Sequence, residues 1–251
     1  MPNRDGKHYG ICKLCGQHKE LQKSHILPKG LYDLKRTKRF TAIERETGKT
    51  DRINFQNGFK EYLLCKDCEE KFCVFDKEAI KFFHTTIPAL PFRKVGKLQT
   101  YLVTYQDFDY NKLRKFFISL VWRASISSEN VSLGIYEDVA KRILTGDVSD
   151  NDDLFLIEIY RRNKSILSDR IVIGNARNHN GHSATFQFPG YGVIITTTAK
   201  AIPFQEKQLL KKLFNKTEIL VIESDDFFIK SDIQFLNDFY IATHNMKFLN
   251  M

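Results

Sequence analysis

Two CxxC pairs, Cys12-Lys13-Leu14-Cys15 and Cys65-Lys66-Asp67-Cys68, constrain the fold of this chain more than any other feature. Each pair brings two thiolates close enough to share one tetrahedral ion, and zinc favours four such ligands in a closed structural site. The 49 residues between the pairs exceed the spacing of a zinc ribbon, so an ion bound there clamps a loop-rich insertion between two anchoring turns. Gly16 follows the first pair and supplies the backbone freedom that a zinc knuckle needs. The second pair opens a run with helical spacing, and a knuckle joined to a helix start describes a treble-clef module. The competing use of the pairs is redox chemistry or a disulfide. Five cysteines in 251 residues are too few for a disulfide scaffold. Cys73 stands outside the pairs and reads as a small buried apolar residue.

The pattern divides the chain into a flexible N-terminus (1–10), a zinc-clamped module (11–87) and a larger unit of unassigned role (88–251). Within the module, short apolar pieces alternate with Gly16, Gly30, Gly48 and Gly58, and so small a core needs a cross-link. Residues 31–39 have room for a short helix after Pro28, 40–55 read as a polar hairpin or loop, and 67–83 carry helical spacing through Phe72, Phe75, Ala79 and Phe82/Phe83. Pro88, Pro91 and Gly96 mark a joint. Beyond it the pattern predicts helices over 110–128, 136–145 and 231–243, and strands over 98–105, 154–160, 170–173, 184–188, 192–198 and 218–222. The expected class is α+β: an N-terminal zinc-bound treble-clef ββα module, then a larger α+β domain with a mainly antiparallel sheet.

The formal charge is +9, from 39 Lys+Arg against 30 Asp+Glu, and most of that excess falls in the first 72 residues. A basic surface there suits phosphate contact, because neutralising phosphates releases condensed counterions. No segment approaches the roughly 18 uninterrupted apolar residues of a membrane span, and the first ten residues lack the apolar core of a signal peptide. A soluble, cytoplasmic protein with no membrane partner is the expectation.

Inside the clamp stand Ser24-His25-Ile26-Leu27-Pro28, with His25 ten residues after Cys15, then Asn57-Gly58, then Leu63-Leu64-Cys65-Lys66-Asp67-Cys68-Glu69. In order and spacing this resembles the HNH, or His-Me finger, endonuclease superfamily, in which a catalytic ββα unit is sometimes pinned by two CxxC pairs. The resemblance covers about residues 10–75. It implies that His25 is the general base activating water, that Asn57 holds the catalytic loop, and that Glu69 helps to hold a catalytic Mg2+ or Mn2+ ion. An imidazole titrating near neutral pH and a hard oxygen ligand are the groups that this chemistry requires. Two positions depart from the motif. Ser24 stands where many members carry a metal-binding Asp or His, and Glu69 stands where the motif has a histidine. Asp67, Glu70 and His18 are the open alternatives for a further ligand.

Lys29, Lys35, Arg36, Lys38 and Arg39 follow the proposed base and form the candidate nucleic-acid contact, with Tyr32 and Phe40 interleaved and Arg45, Lys49 and Arg52 farther on. A solvated basic face is the plainer reading of such a run. His8, His84 and His244 carry no motif, and His179 and His182 read as incidental to a turn. The leading expectation is a metal-dependent DNA endonuclease. Stand-alone nucleases of the type it resembles are often prokaryotic defence or mobile-element proteins. The alternatives are a zinc-stabilised nucleic-acid- or protein-binding protein without chemistry, and an effector whose activity lies in the second unit. On any of these readings the C-terminal unit is free to recruit a protein partner.

Overall fold

The computed structural model describes residues 7–31, 42–43, 50–51, 60–95, 98–128, 131–161, 177–179, 183–188, 190–197 and 202–223. Expected elements at 31–39 (apart from Leu31), 170–173 and 231–243 lie outside these residues, as do Asn57, Lys35, Arg36, Lys38, Arg39, His182 and His244.

The N-terminal part begins with strand β1 (Tyr9–Ile11), turns through Cys12 and Cys15, and returns as β2 (His18–His25), followed by a single 3-10 turn at Lys29–Leu31. Two short strands, β3 (Ala42–Ile43) and β4 (Thr50–Asp51), form an antiparallel hairpin where a hairpin or loop was expected. Strand β5 (Lys60–Cys65) runs directly into helix α1 (Lys66–Lys81), and β1, β2 and β5 make a three-stranded antiparallel sheet. Helix α1 buries Cys68, Phe72 and Ala79, then loosens into a π turn at Phe82–Thr86 and a short helix α2 (Ile87–Ala89). Cys73 follows Phe72 by one residue and so faces about 100° away from it around the helix. It is exposed, which corrects the expectation of a buried residue.

The larger part holds β6 (Arg93–Val95), β7 (Leu98–Thr104), α3 (Tyr110–Ser125), α4 (Tyr136–Thr145), β8 (Phe155–Arg161), β9 (Arg177–His179), β10 (Ser183–Phe188), β11 (Tyr191–Thr197), α5 (Phe204–Leu213) and β12 (Glu218–Glu223). Among the described residues, seven strands pair in the order β6-β7-β12-β8-β11-β10-β9, antiparallel except for β12 against β8. The protein is therefore mixed α+β with a mainly antiparallel sheet and a cysteine cluster near its N-terminus.

Helix α3 positions the site. Asp109 caps it by accepting from the Lys112 backbone N–H at 3.1 Å. Every side chain from Phe116 to Ala124 is buried, and α1 and α4 both pack against the helix. Apolar contact runs without a break from the cysteine hairpin to the large sheet. Phe72 of α1 meets Trp122 edge-on with centroids 6.0 Å apart, and Phe83 packs against Phe117, Phe188 and Tyr191. The opposite face of the sheet buries Leu156, Tyr160, Ile194 and Ile222 beneath Leu210 and Leu213 of α5. No helix among the described residues is long and apolar enough to cross a membrane.

Candidate metal centre and the corner beside it

Cys12 and Cys15 lie in the turn between β1 and β2, whereas Cys65 closes β5 and Cys68 sits in the first turn of α1. The β2–β5 ladder holds the two turns side by side, with Leu21 opposite Cys65. The knuckle is hydrogen-bonded through its backbone: Gly16 N–H donates to the Cys12 carbonyl at 2.8 Å and Cys12 N–H to that of Gln17 at 2.9 Å. Gly16 adopts φ +73°, a conformation that disfavours any residue with a Cβ. Lys13 N–H reaches the Leu63 carbonyl at 3.0 Å and docks the knuckle on β5.

The four sulfurs lie within 4.8 Å of one another, and the Cys15 and Cys65 Sγ atoms are 4.0 Å apart. A tetrahedron with metal–sulfur bonds of about 2.3 Å has sulfur–sulfur edges of roughly 3.8 Å, so the cluster suits a structural ion such as zinc. Burial opposes ionisation of Cys12, yet the backbone N–H groups of Cys15, Cys65 and Leu14 bring its thiol down to about 7. Cys65 N–H donates to the Cys12 Sγ at 3.3 Å. Burial, with the neighbouring thiols, pushes Cys68 strongly upward, and burial raises Cys65. Four crowded thiols of which one ionises readily form a donor set that a cation completes.

One strand-length away, Ser24 and His25 end β2 opposite Glu61 and Lys60 of β5. Consecutive side chains of a strand leave on opposite faces. The Ser24 hydroxyl, fully buried, therefore faces the Glu69 carboxylate on α1, and Glu61 on the same side accepts from the Ser128 backbone N–H at 2.8 Å. His25 leaves on the side of Lys60, Lys23 and Tyr62, where Lys23 lies over the Tyr62 ring and His8 stacks on it at 3.7 Å. The fold thus brings Ser24 and Glu69 together and places His25 beside them on the alternate face.

Among the described residues three buried side-chain atoms make no hydrogen bond: Ser24 Oγ, His25 Nε2 and Glu69 Oε1. Unsatisfied buried polar atoms are uncommon, and these three fall within two short segments of one corner of the fold. Burial holds Glu69 above the ordinary carboxylate range; the facing Ser24 hydroxyl opposes this without reaching hydrogen-bond geometry, as does the charge of Arg123. Burial, then the charges of Lys60, Arg123 and Lys29, lower His25 to about 4, so its imidazole is neutral at physiological pH.

The three alternative ligands sit elsewhere. Asp67 is exposed and paired with Lys19 at 2.8 Å, Glu70 is exposed near Lys66 at 3.9 Å, and His18 stands at the far end of β2. Of the basic cluster, Lys29 is described: it is exposed, in the 3-10 turn, and its charge reaches His25. That turn rests on α1 through Gly30, where a Cβ would collide with Ile80 Cδ1, and on the following π turn through His84, whose Nε2 lies 2.9 Å from the Gly30 carbonyl.

Two groups that no sequence motif singles out, Arg123 and Asp76, belong to this corner. Arg123 of α3 is 2% exposed and bonds to both His25 and Asp76 of α1. The signal was an arginine on a helix face shared with Phe116, Ser119 and Leu120, a position where a buried charge demands a partner. Comparison of the chain with protein-family models, with curated proteins and with solved structures finds no match.

Proposed function

We propose that this protein is a metal-dependent endonuclease of the HNH type acting on DNA, with zinc at Cys12, Cys15, Cys65 and Cys68 as the frame of a treble-clef ββα module. The observation that carries the reading is the trio of buried, unpartnered polar atoms on Ser24, His25 and Glu69, at the positions where the sequence resembles the family's active site. Glu69 would hold a divalent ion, Mg2+ or Mn2+, with its hard oxygen, and such an ion supplies charge stabilisation to a phosphate under attack. His25, neutral at physiological pH, accepts a proton from water. A phosphate entering beside Lys60 and Lys29 offsets charges that depress His25 and makes it a stronger base at the moment it is needed. Asn57 and the basic residues Lys35, Arg36, Lys38 and Arg39 retain their proposed roles in loop support and backbone contact. The test is nicking of supercoiled plasmid with Mg2+ or Mn2+: the parent cuts and His25→Ala does not, and equal cutting by both overturns the assignment.

A second reading is a zinc-stabilised nucleic-acid- or protein-binding protein without chemistry. It draws on the position of His25, which leaves β2 on the face opposite to Ser24 and hence away from Glu69 of α1, and on the poor ligand quality of the Ser24 hydroxyl. It predicts DNA binding that weakens steeply with salt and no cleavage with any divalent ion.

A further inference from the structure

We infer that Arg123, some hundred residues beyond the metal-binding hairpin, is a positioning residue that fixes His25 through its backbone carbonyl. Arg123 Nη1 donates to the His25 carbonyl at 3.1 Å. The same guanidinium forks onto the Asp76 carboxylate, Nη2 to Oδ1 at 2.9 Å and Nη1 to Oδ2 at 3.3 Å, and Nε and Nη2 reach the Ser119 carbonyl and hydroxyl at 3.3 and 3.2 Å. It also lies over the Phe72 ring, 5.5 Å from the centroid. Asp76 lies seven residues after Glu69, about two helical turns along the same face of α1. One planar, permanently charged group thus ties the end of β2 to the helix that carries Glu69, and does so from α3, which packs on α4 and reaches β8 through the bond from Arg114 Nη1 to the Phe155 carbonyl at 3.0 Å.

The geometry explains why a costly group is buried there. A guanidinium removed from water is tolerated only when its donors are met and its charge is paired, and here Ser119, His25 and Asp76 do both. An apolar side chain would fill the space between α1 and α3 more cheaply, but it would leave the His25 carbonyl without this donor. His25 is the last residue of β2, where the ladder to β5 ends, so an additional anchor is needed to hold its backbone. The inference deepens the nuclease reading and rests on it for the role of His25.

The test uses the full zinc-loaded chain with Arg123→Lys, which keeps the charge and loses the fork, and with Asp76→Asn, which releases the fork from α1. In protein labelled with carbonyl-13C histidine, the His25 signal, assigned by its disappearance in His25→Gln, is expected to move in Arg123→Lys and to move less in Asp76→Asn. In plasmid nicking with Mn2+, kcat is expected to fall about 10- to 100-fold with KM held within about twofold, as misplacement of a catalytic group predicts. A stationary His25 signal in the folded variants, or parental kcat in Arg123→Lys, overturns the inference. A merely structural arginine would lower the melting temperature and leave kcat per folded molecule unchanged. If the parent does not nick, the nuclease reading fails while the carbonyl signal still decides the positioning role. If Arg123→Lys does not fold, Asp76→Asn carries both measurements.

Discussion

Lys60 stands directly opposite His25 in the β2–β5 ladder, and its charge is the largest single contribution after burial to the low pKa of that imidazole. Lys60→Gln therefore raises the His25 pKa from about 4 toward its ordinary 6.5. The check is an NMR titration of the His25 ring. The same substitution removes a cation beside the proposed phosphate path, so the salt dependence of DNA binding loses about one unit of slope if Lys60 contacts a phosphate.

The same depressed pKa makes a statement about stability. Between pH 6.5 and about 4 the unfolded chain takes up a proton that folded His25 refuses, so this group's contribution is complete above 6.5 and is lost as pH falls toward 4. His25→Gln should flatten the stability profile in that window relative to the parent. Melting temperatures of the two proteins at matched pH steps measure the difference, and parallel profiles would show that His25 is not buried neutral.

How much of this corner was legible in the sequence depended on the range of the interactions involved. The CxxC spacing announced a shared ion because ligand geometry is local within each pair, and the clustering of Cys12, Cys15, Cys65 and Cys68 followed. Helices α3 and α4 were readable from their 3.6-residue periodicity, and the structure ends α3 at Ser125, three residues short of the expected limit. Helix α5 was passed over: it starts after Pro203 with Phe204 exposed, and among its described side chains the buried ones are Leu210 and Leu213. The three-residue edge strand β6 was too short to carry a pattern. Arg123 could not be matched to Asp76 or His25 because those contacts span 47 and 98 residues and depend on how α3 crosses α1.

Metal removal should act on the hairpin and helix start together. The chain is expected to bind one zinc per molecule, and Cys12→Ser or Cys68→Ser to abolish that binding, because each buried thiol is one corner of a four-sulfur set. Cys73→Ser should leave the zinc content unchanged, since Cys73 is exposed and outside the set. Elemental analysis of the purified variants decides. Structural zinc in isolated fingers is worth on the order of 10 kcal/mol, so its loss should unfold at least β1, β2 and the start of α1.

Glu69→Gln separates function from stability. Burial raises the Glu69 pKa, so its ionised form is disfavoured in the fold; stability from this group falls as pH rises through the raised pKa. The neutral amide should therefore raise the melting temperature of the zinc-loaded protein at neutral pH without added Mn2+. Added Mn2+ should then stabilise the parent by mass action and leave the variant unmoved. A variant that gains as much as the parent would place the divalent site away from Glu69.

The continuity of the core bears on whether the first ninety residues act alone. Phe72, Phe82, Phe83 and Ile87 are each at most 1% exposed, and Phe72 and Phe83 find their aromatic partners in α3 and in the large sheet. A fragment ending at residue 90 would expose those rings and strip Asp76 of Arg123. Each large aromatic removed from its pocket costs about 3–5 kcal/mol, a sum beyond what so small a core can absorb. The fragment is expected to bind zinc through its four cysteines yet to show a poorly dispersed proton NMR spectrum. In the intact chain, Phe83→Ala should shift the melting of the hairpin and of the large sheet together, read by His25 and Tyr191 resonances in the same experiment. Separate transitions for the two signals would show that the apolar contact does not couple them.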